Sequence, residues 1–214
     1  MGAAALEFRR RALSPFTDKA GTFAPLKTAV FVLLVLPGLW IAYRYLNGTI
    51  GGNALKAVVR ETGLWGIRFI VLTLAVTPLR RTLVWPKLVT TRRAIGVAAF
   101  VYSATHLLAY FADMAFEWPE IGSEILLRFY LLVGTIGLLA MVPLTITSTD
   151  AMMRRLGRHK WRRLHQAVYA VGVLAMLHFY LLLSKLHTDE AQILAGLLLL
   201  LLLYRVLYWW RDRA

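Results

Sequence analysis

Long apolar runs, separated by short polar and mostly basic clusters, dominate the chain. A bilayer core of about 30 Å takes roughly 20 helical residues. Six runs qualify, at about 26–46, 64–80, 94–112, 129–148, 164–184 and 191–210. The second is slightly short and holds Arg68. The sixth is nearly pure leucine and closes on Tyr208, Trp209 and Trp210 before charge resumes, as an interfacial aromatic belt does. The pattern predicts an all-α integral membrane bundle of six transmembrane helices. It divides the chain into an N-terminal tail (1–25), one transmembrane domain (26–210) and a C-terminal tail (211–214). The longest connections, about 47–63 and 113–128, are too short to form a soluble domain.

Composition agrees: 59% of the 214 residues are hydrophobic, against about 45–50% in a soluble domain. The net charge of +14 would fit nucleic acid, but it sits in clusters between apolar spans. Membrane topology accounts for that distribution, and no nucleic-acid partner is expected. Arg9, Arg10, Arg11, Lys19 and Lys27 precede or open span one. Arg80, Arg81, Lys87, Arg92 and Arg93 join spans two and three. Arg154, Arg155, Arg158, Lys160, Arg162 and Arg163 join four and five, and Arg205, Arg211 and Arg213 close the chain. An up-and-down path puts all four clusters on one side, 19 of the 25 basic residues. The positive-inside rule then makes that side, and both termini, cytoplasmic. The first 25 residues are basic but lack a small-residue cleavage site, so the first span reads as retained.

The absence of cysteine excludes disulfides, thiolate-held iron–sulfur clusters and covalent haem attachment. No phosphate-binding glycine loop, dinucleotide fingerprint or nucleophile elbow is present. All eleven acidic residues fall outside the spans or at their rims, which weighs against an ion-coupled transporter.

The polar groups inside the spans are histidines, Arg68, serines and threonines. Span three enters the membrane after Arg93, and His106 is 13 residues further, about 20 Å deep. Span five enters after Arg163, and His178 is 15 residues further, about 22 Å deep. The two spans run the same way, so the two imidazoles come to one level in the outer half of the bilayer. Such a pair fits axial ligation of one non-covalent b-type haem. Ala104, Ala109, Gly172 and Ala175, with Tyr102, Tyr110, Tyr169 and Phe179, would line an apolar slot. The competing reading gives each histidine an interhelical hydrogen bond. Zinc would need at least three protein ligands, which two level histidines do not supply.

His165 stands only two residues past Arg163, about 3 Å in, and on a regular helix it points away from His178. It could hold a second haem with His159, contact a quinone or flavin, or meet membrane lipid phosphates beside Arg162 and Arg163. Arg68 either pairs with a haem propionate or reaches the outer interface. Thr147, Ser148, Thr149 and Asp150 would cap the next helical segment or bind a phosphate or quinone head.

Four runs, GLWGIRFIVLTLAVTPLRR (63–81), RRAIGVAAFVYSATHLLAYF (92–111), PLTITST (143–149) and WRRLHQAVYAVGVLAMLHFY (161–180), together resemble the MsrQ (formerly YedZ) family. That family belongs to the wider ferric-reductase-like transmembrane group, and the resemblance covers spans two to five. It implies a haem-binding subunit of the bacterial inner membrane that passes electrons from the quinone pool to a periplasmic molybdopterin methionine sulfoxide reductase, MsrP. It also implies haem b and FMN as cofactors, and His106, His178 and His165 match the family's motif histidines. The wider group carries two histidines on each of two helices. Here span five has two and span three has one, which leaves the number of haems open. A stand-alone ferric or oxygen reductase fed by a cytoplasmic flavin reductase, or a small transporter, are the alternatives.

Overall fold

The computed structural model describes residues 25–186 and 189–211. The N-terminal tail with Arg9, Arg10, Arg11 and Lys19, the outer-loop His187, and Arg213 in the C-terminal tail lie outside the described residues. Internal contacts divide the chain into a unit ending at Thr49 and a second beginning at Ile50.

The first unit is helix α1 (Pro25–Leu46), with Pro37 inside it. Its end is set by Gly48, whose φ of +66° is open to glycine at little cost. Gly48 N–H donates to the Tyr45 carbonyl at 3.2 Å, and Thr49 N–H to that of Arg44 at 2.9 Å. This is the Schellman closure, which satisfies carbonyls the helix leaves unpaired.

The second unit opens with α2 (Ala54–Thr82), capped by Asn53, whose side chain accepts from Lys56 N–H at 3.1 Å. A short 3₁₀ turn, Pro86–Thr90, leads to α3 (Arg92–Asp113). After a tight turn come α4 (Trp118–Leu127) and α5 (Phe129–Ile146). Then follow α6 (Asp150–His165), α7 (Val168–Leu186) and α8 (Asp189–Arg211). Packing closes α2, α3, α5, α7 and α8 into a ring, α2 lying against both α3 and α8. The core is tightest where α2, α7 and α8 meet: Leu74, Val171 and Leu198 are fully buried there. A Cβ on Gly172 would lie 3.2 Å from Leu74 and 3.6 Å from Leu202. Gly172 therefore serves helix packing, not the slot the sequence assigned it to.

Outward faces carry exposed Leu108, Leu139, Leu200 and Leu207. In water such faces would aggregate; in lipid they need no cover, while helices satisfy their own backbone. Among the described residues, five stretches are long and apolar enough to cross a membrane: Pro25–Leu46, Ala54–Thr82, Pro86–Asp113, Phe129–Ile146 and Asp150–Leu182. The predicted sixth span, α8, carries a shorter apolar stretch, Gln192–Tyr208. The molecule is thus an all-helical, multi-pass membrane protein.

Three local features depart from the hydrophobic pattern. α2 begins about ten residues before its apolar run, because Asn53 starts a helix whose first turns are polar. Glu61, expected at a rim, therefore lies inside a helix. Within the loops, the acidic one contains α4, and the basic one is the amphipathic α6, kinked at Gly157 where φ is +74°.

Gly66 lies at the α2–α3 crossing, where a Cβ would meet Ser103 Oγ at 2.9 Å. Gly66→Leu is expected to cost about 1–3 kcal/mol, read as a melting point several degrees lower in detergent. Gly96→Ala is the control, since its Cβ would first meet Thr73 at 3.8 Å. It is expected to gain about 0.5–1 kcal/mol from reduced backbone entropy in the unfolded chain.

Candidate functional site

Two histidines on different helices meet in the ring. His106, from α3, reaches across to α2, and its Nδ1 lies 2.7 Å from the Val59 carbonyl. His178, from α7, reaches across to α5, and its Nδ1 lies 2.7 Å from the Tyr130 carbonyl. A carbonyl can only accept, so each Nδ1 carries the proton and donates it. Each Nε2 is left as a lone-pair donor.

The same device holds both rings. In a helix the carbonyl of Val59 faces the N–H of Gly63, and that of Tyr130 faces Gly134. An imidazole can reach a carbonyl already engaged in the helix only if the residue above it has no side chain. A Cβ at Gly63 would lie 2.8 Å from His106 Nδ1, and one at Gly134 only 2.6 Å from His178 Nδ1. Val59–Gly63 and Tyr130–Gly134 are thus two sockets of one design. Sequence reasoning missed all four residues. The available signal was a glycine on each neighbouring span at the depth of each histidine.

The ring centres of His106 and His178 are 6.3 Å apart, with the planes at 80°. A metal–imidazole bond is about 2 Å, and the ring centre lies about 1 Å behind the nitrogen, so two imidazoles sharing one metal put their centres about 6 Å apart. At that separation His106 and His178 would suit a single metal shared between them. Among the described residues no group of three or more histidine, cysteine or acidic side chains could hold a metal, which disfavours a zinc site. The surroundings are apolar: Tyr102 is buried edge-on against Phe69, and Ala109 and Phe179 are buried. One turn beyond His106, the Tyr110 hydroxyl is buried without a hydrogen-bond partner among the described residues. The acidic arm of a bound porphyrin would satisfy such a group.

His165 sits elsewhere. It is the last residue of α6, and a turn at Gln166 and Ala167 separates it from α7. Its ring stacks on Trp161 at 3.9 Å between centres. Its Nε2 lies 3.0 Å from Thr147 Oγ1, whose hydroxyl donates to the Pro143 carbonyl at 2.6 Å. With that hydroxyl proton committed, His165 Nε2–H is the donor to Thr147. Trp161 Nε1 donates to the Thr147 carbonyl at 2.9 Å, closing the cluster. Arg92 and Arg93 are close enough to act electrostatically on His165. His159, considered as its partner, lies on the exposed surface of α6.

Arg68 places its guanidinium 4.4 Å from the Trp65 ring centre, one turn back on α2. It is five residues past Gly63, about 7.5 Å along the helix. In the Pro143–Asp150 run, Thr149 caps α6 by accepting from Met152 N–H at 3.2 Å, as its position predicted. Asp150 pairs with Arg93 at the start of α3.

The model of the family described as "Ferric reductase like transmembrane component" matches residues 62–176. The chain is 42% identical over 181 residues to the protein-methionine-sulfoxide reductase heme-binding subunit MsrQ of Rhodospirillum rubrum, covering 84% of this chain and 86% of that one. It is 38% identical over 185 residues to the MsrQ of Caulobacter vibrioides, covering 86% of each. Against that of Xanthomonas campestris it is 40% identical over 187 residues, covering 84% of this chain and 85% of the relative. No solved structure matches.

The socket geometry makes a graded prediction. Gly134→Ala is expected to displace the His178 ring more than Gly63→Ala displaces that of His106, since its Cβ comes closer. Titrating haem into the apoprotein, each should weaken binding about 10- to 100-fold, with Gly134→Ala the weaker binder.

Proposed function

We propose a function from one premise: the chain belongs to the MsrQ family of ferric-reductase-like transmembrane proteins. On that premise it is a b-type cytochrome of the bacterial inner membrane. It carries electrons from the quinone pool to a periplasmic molybdopterin methionine sulfoxide reductase of the MsrP kind. The name its relatives carry, heme-binding subunit, supplies the cofactor.

The observation that carries this reading is the pair of matched sockets. His106 and His178 would hold a haem, through the two Nε2 atoms that Val59 and Tyr130 leave unprotonated. Haem, when bound, supplies reversible one-electron chemistry at iron. The residues around it act before any electron moves. Each carbonyl fixes its imidazole's tautomer and raises the basicity of the opposite nitrogen. Gly63 and Gly134 let the rings come close, and buried Tyr102, Ala109 and Phe179 keep the flanks dry.

Direction follows from charge. The helix ends that meet at Arg93–Asp150 and at Arg81–Tyr208 belong to the basic clusters. Lysine and arginine remain on the cytoplasmic side, so that end faces inward and the histidine pair faces the periplasm. With α8 as a sixth span, both termini are cytoplasmic. The pair then lies where a periplasmic partner would receive electrons. His165 stands at the opposite, basic end. A second haem, an FMN or a quinol would enter there, and the surrounding arginines would also meet lipid phosphates. Arg68, between the two levels on α2, is positioned to meet an acidic arm of a bound cofactor.

The test is spectroscopic. Purified protein is expected to show a b-type Soret shift and a sharp α band on dithionite reduction. His106→Ala or His178→Ala should remove the band of the paired site, while His165→Ala should keep it. A folded wild-type protein that stays colourless after haem supplementation would refute the reading.

A further inference from the structure

At the basic end of the ring, two nitrogens of one guanidinium have no hydrogen-bond partner among the described residues. Arg205, on α8, lies with its guanidinium 5.5 Å from the ring centre of Tyr169 on α7. Its Nε and Nη2 are closed to solvent and have no hydrogen-bond partner among the described residues. Its charged neighbours make matters worse. Arg81 and Arg92 are both close enough to repel it, while its other electrostatic neighbours, Tyr169 and Tyr204, are phenols. Arg81 is itself drawn onto the Tyr208 ring, 3.6 Å away. Guanidinium nitrogens shielded from water without a partner are costly, and proteins pair such groups.

The two orphaned nitrogens are not an arbitrary pair. Nε and Nη2 form the side edge of the guanidinium, the edge that grips both oxygens of a carboxylate or phosphate at once. Arg92 acts on Arg205 and also on His165, so the two belong to one electrostatic neighbourhood. Tyr169 follows His165 by four residues, and its ring lies beside the Arg205 guanidinium. A lipid headgroup would come from the outer surface and meet the exposed Arg81 first. The Nε–Nη2 edge of Arg205 is shielded from solvent.

We propose that Arg205, backed by Arg92 and Arg81, anchors the anionic arm of a second redox cofactor seated against Tyr169 near His165. The arm is a carboxylate or a phosphate, as on a haem propionate or a flavin nucleotide. This rests on the reading of the chain as an electron carrier, but it concerns a site separate from the His106–His178 pair.

The test uses the full-length protein in detergent, as wild type, Arg205→Gln, Arg205→Lys and His178→Ala. Haem per chain is read by pyridine haemochrome, flavin per chain by fluorescence after acid release, and bound lipid by phosphorus assay. Arg205→Gln should retain the second cofactor about 10-fold less well, with the spectrum of the paired-histidine haem intact. Arg205→Lys, which keeps the charge but loses the two-pronged edge, should fall between. Haem falling from two per chain to one identifies a propionate, and flavin falling with haem unchanged identifies a phosphate. The proposal is overturned if the wild type holds one haem and no flavin. It is overturned equally if Arg205→Gln keeps both contents, or loses only lipid phosphorus. Should Arg205→Gln fail to fold, unchanged contents in Arg205→Lys overturn it instead. Full haem content in His178→Ala would sink the electron-carrier reading and leave the Arg205 comparison standing on its own data.

Discussion

Two hydrogen bonds from imidazole to helix backbone organise this molecule. A helix carbonyl has two lone pairs and spends one on its own ladder. At Val59 and Tyr130 the second accepts from a histidine on the neighbouring helix. In lipid that bond is worth keeping, because a buried imidazole without a partner is costly. Its price is local shape, since the residue one turn on from each carbonyl has to be glycine. The α2–α3 and α5–α7 packings therefore each converge on a socket. The two competing sequence readings, hydrogen bond or metal ligand, turn out to be compatible. Nδ1 makes the first, which is what leaves Nε2 available for the second.

The position of the pair was legible from a count along the chain. Arg93 and Arg163 mark where two parallel spans enter, and 1.5 Å per residue brings His106 and His178 level. The rings do meet, 6.3 Å apart. The sockets were not legible in that way, because a carbonyl has no letter in a sequence, and Gly63 and Gly134 look like ordinary small residues of a span. Hydrophobic patterning also underestimated the helices. It detects what must be buried, so it passed over the polar start of α2, and it read α4 and α6 as loops. Gly172 was misassigned because a small residue near a histidine does not reveal which neighbour it faces; here it faces Leu74.

The ends of the ring differ in kind. Around the pair the polar groups are few and mostly satisfied, and the walls are apolar. At the basic end, cations gather from α2, α3, α6 and α8, and Asp150 pairs with Arg93. That asymmetry does two jobs with one set of side chains. On the proposed orientation, lysine and arginine retention keeps this end on the cytoplasmic side. The asymmetry also makes a region of positive potential within low dielectric, where an anionic group is held more strongly than at an open surface.

His165 shows why that second region could not be read from helical geometry. On a continuous helix, 13 residues would turn it about 140° from His178, onto a face that looks away from the bundle. The chain is not continuous there. α6 ends at His165, and two turn residues intervene before α7. The break frees the ring to fold back onto Trp161 and Thr147 instead of following the angle of the span. Thr147 in turn ends α5 with its hydroxyl donated back to the Pro143 carbonyl, leaving its oxygen to accept from His165. A helix end, a cap and a stacked indole therefore fix His165 where hydrophobic periodicity places nothing. Arg92 and Arg93 sit on the same junction, at the start of α3. The His106–His178 pair is built from helix middles and the His165 region from helix termini, so one follows from counting along spans and the other only from how the spans end.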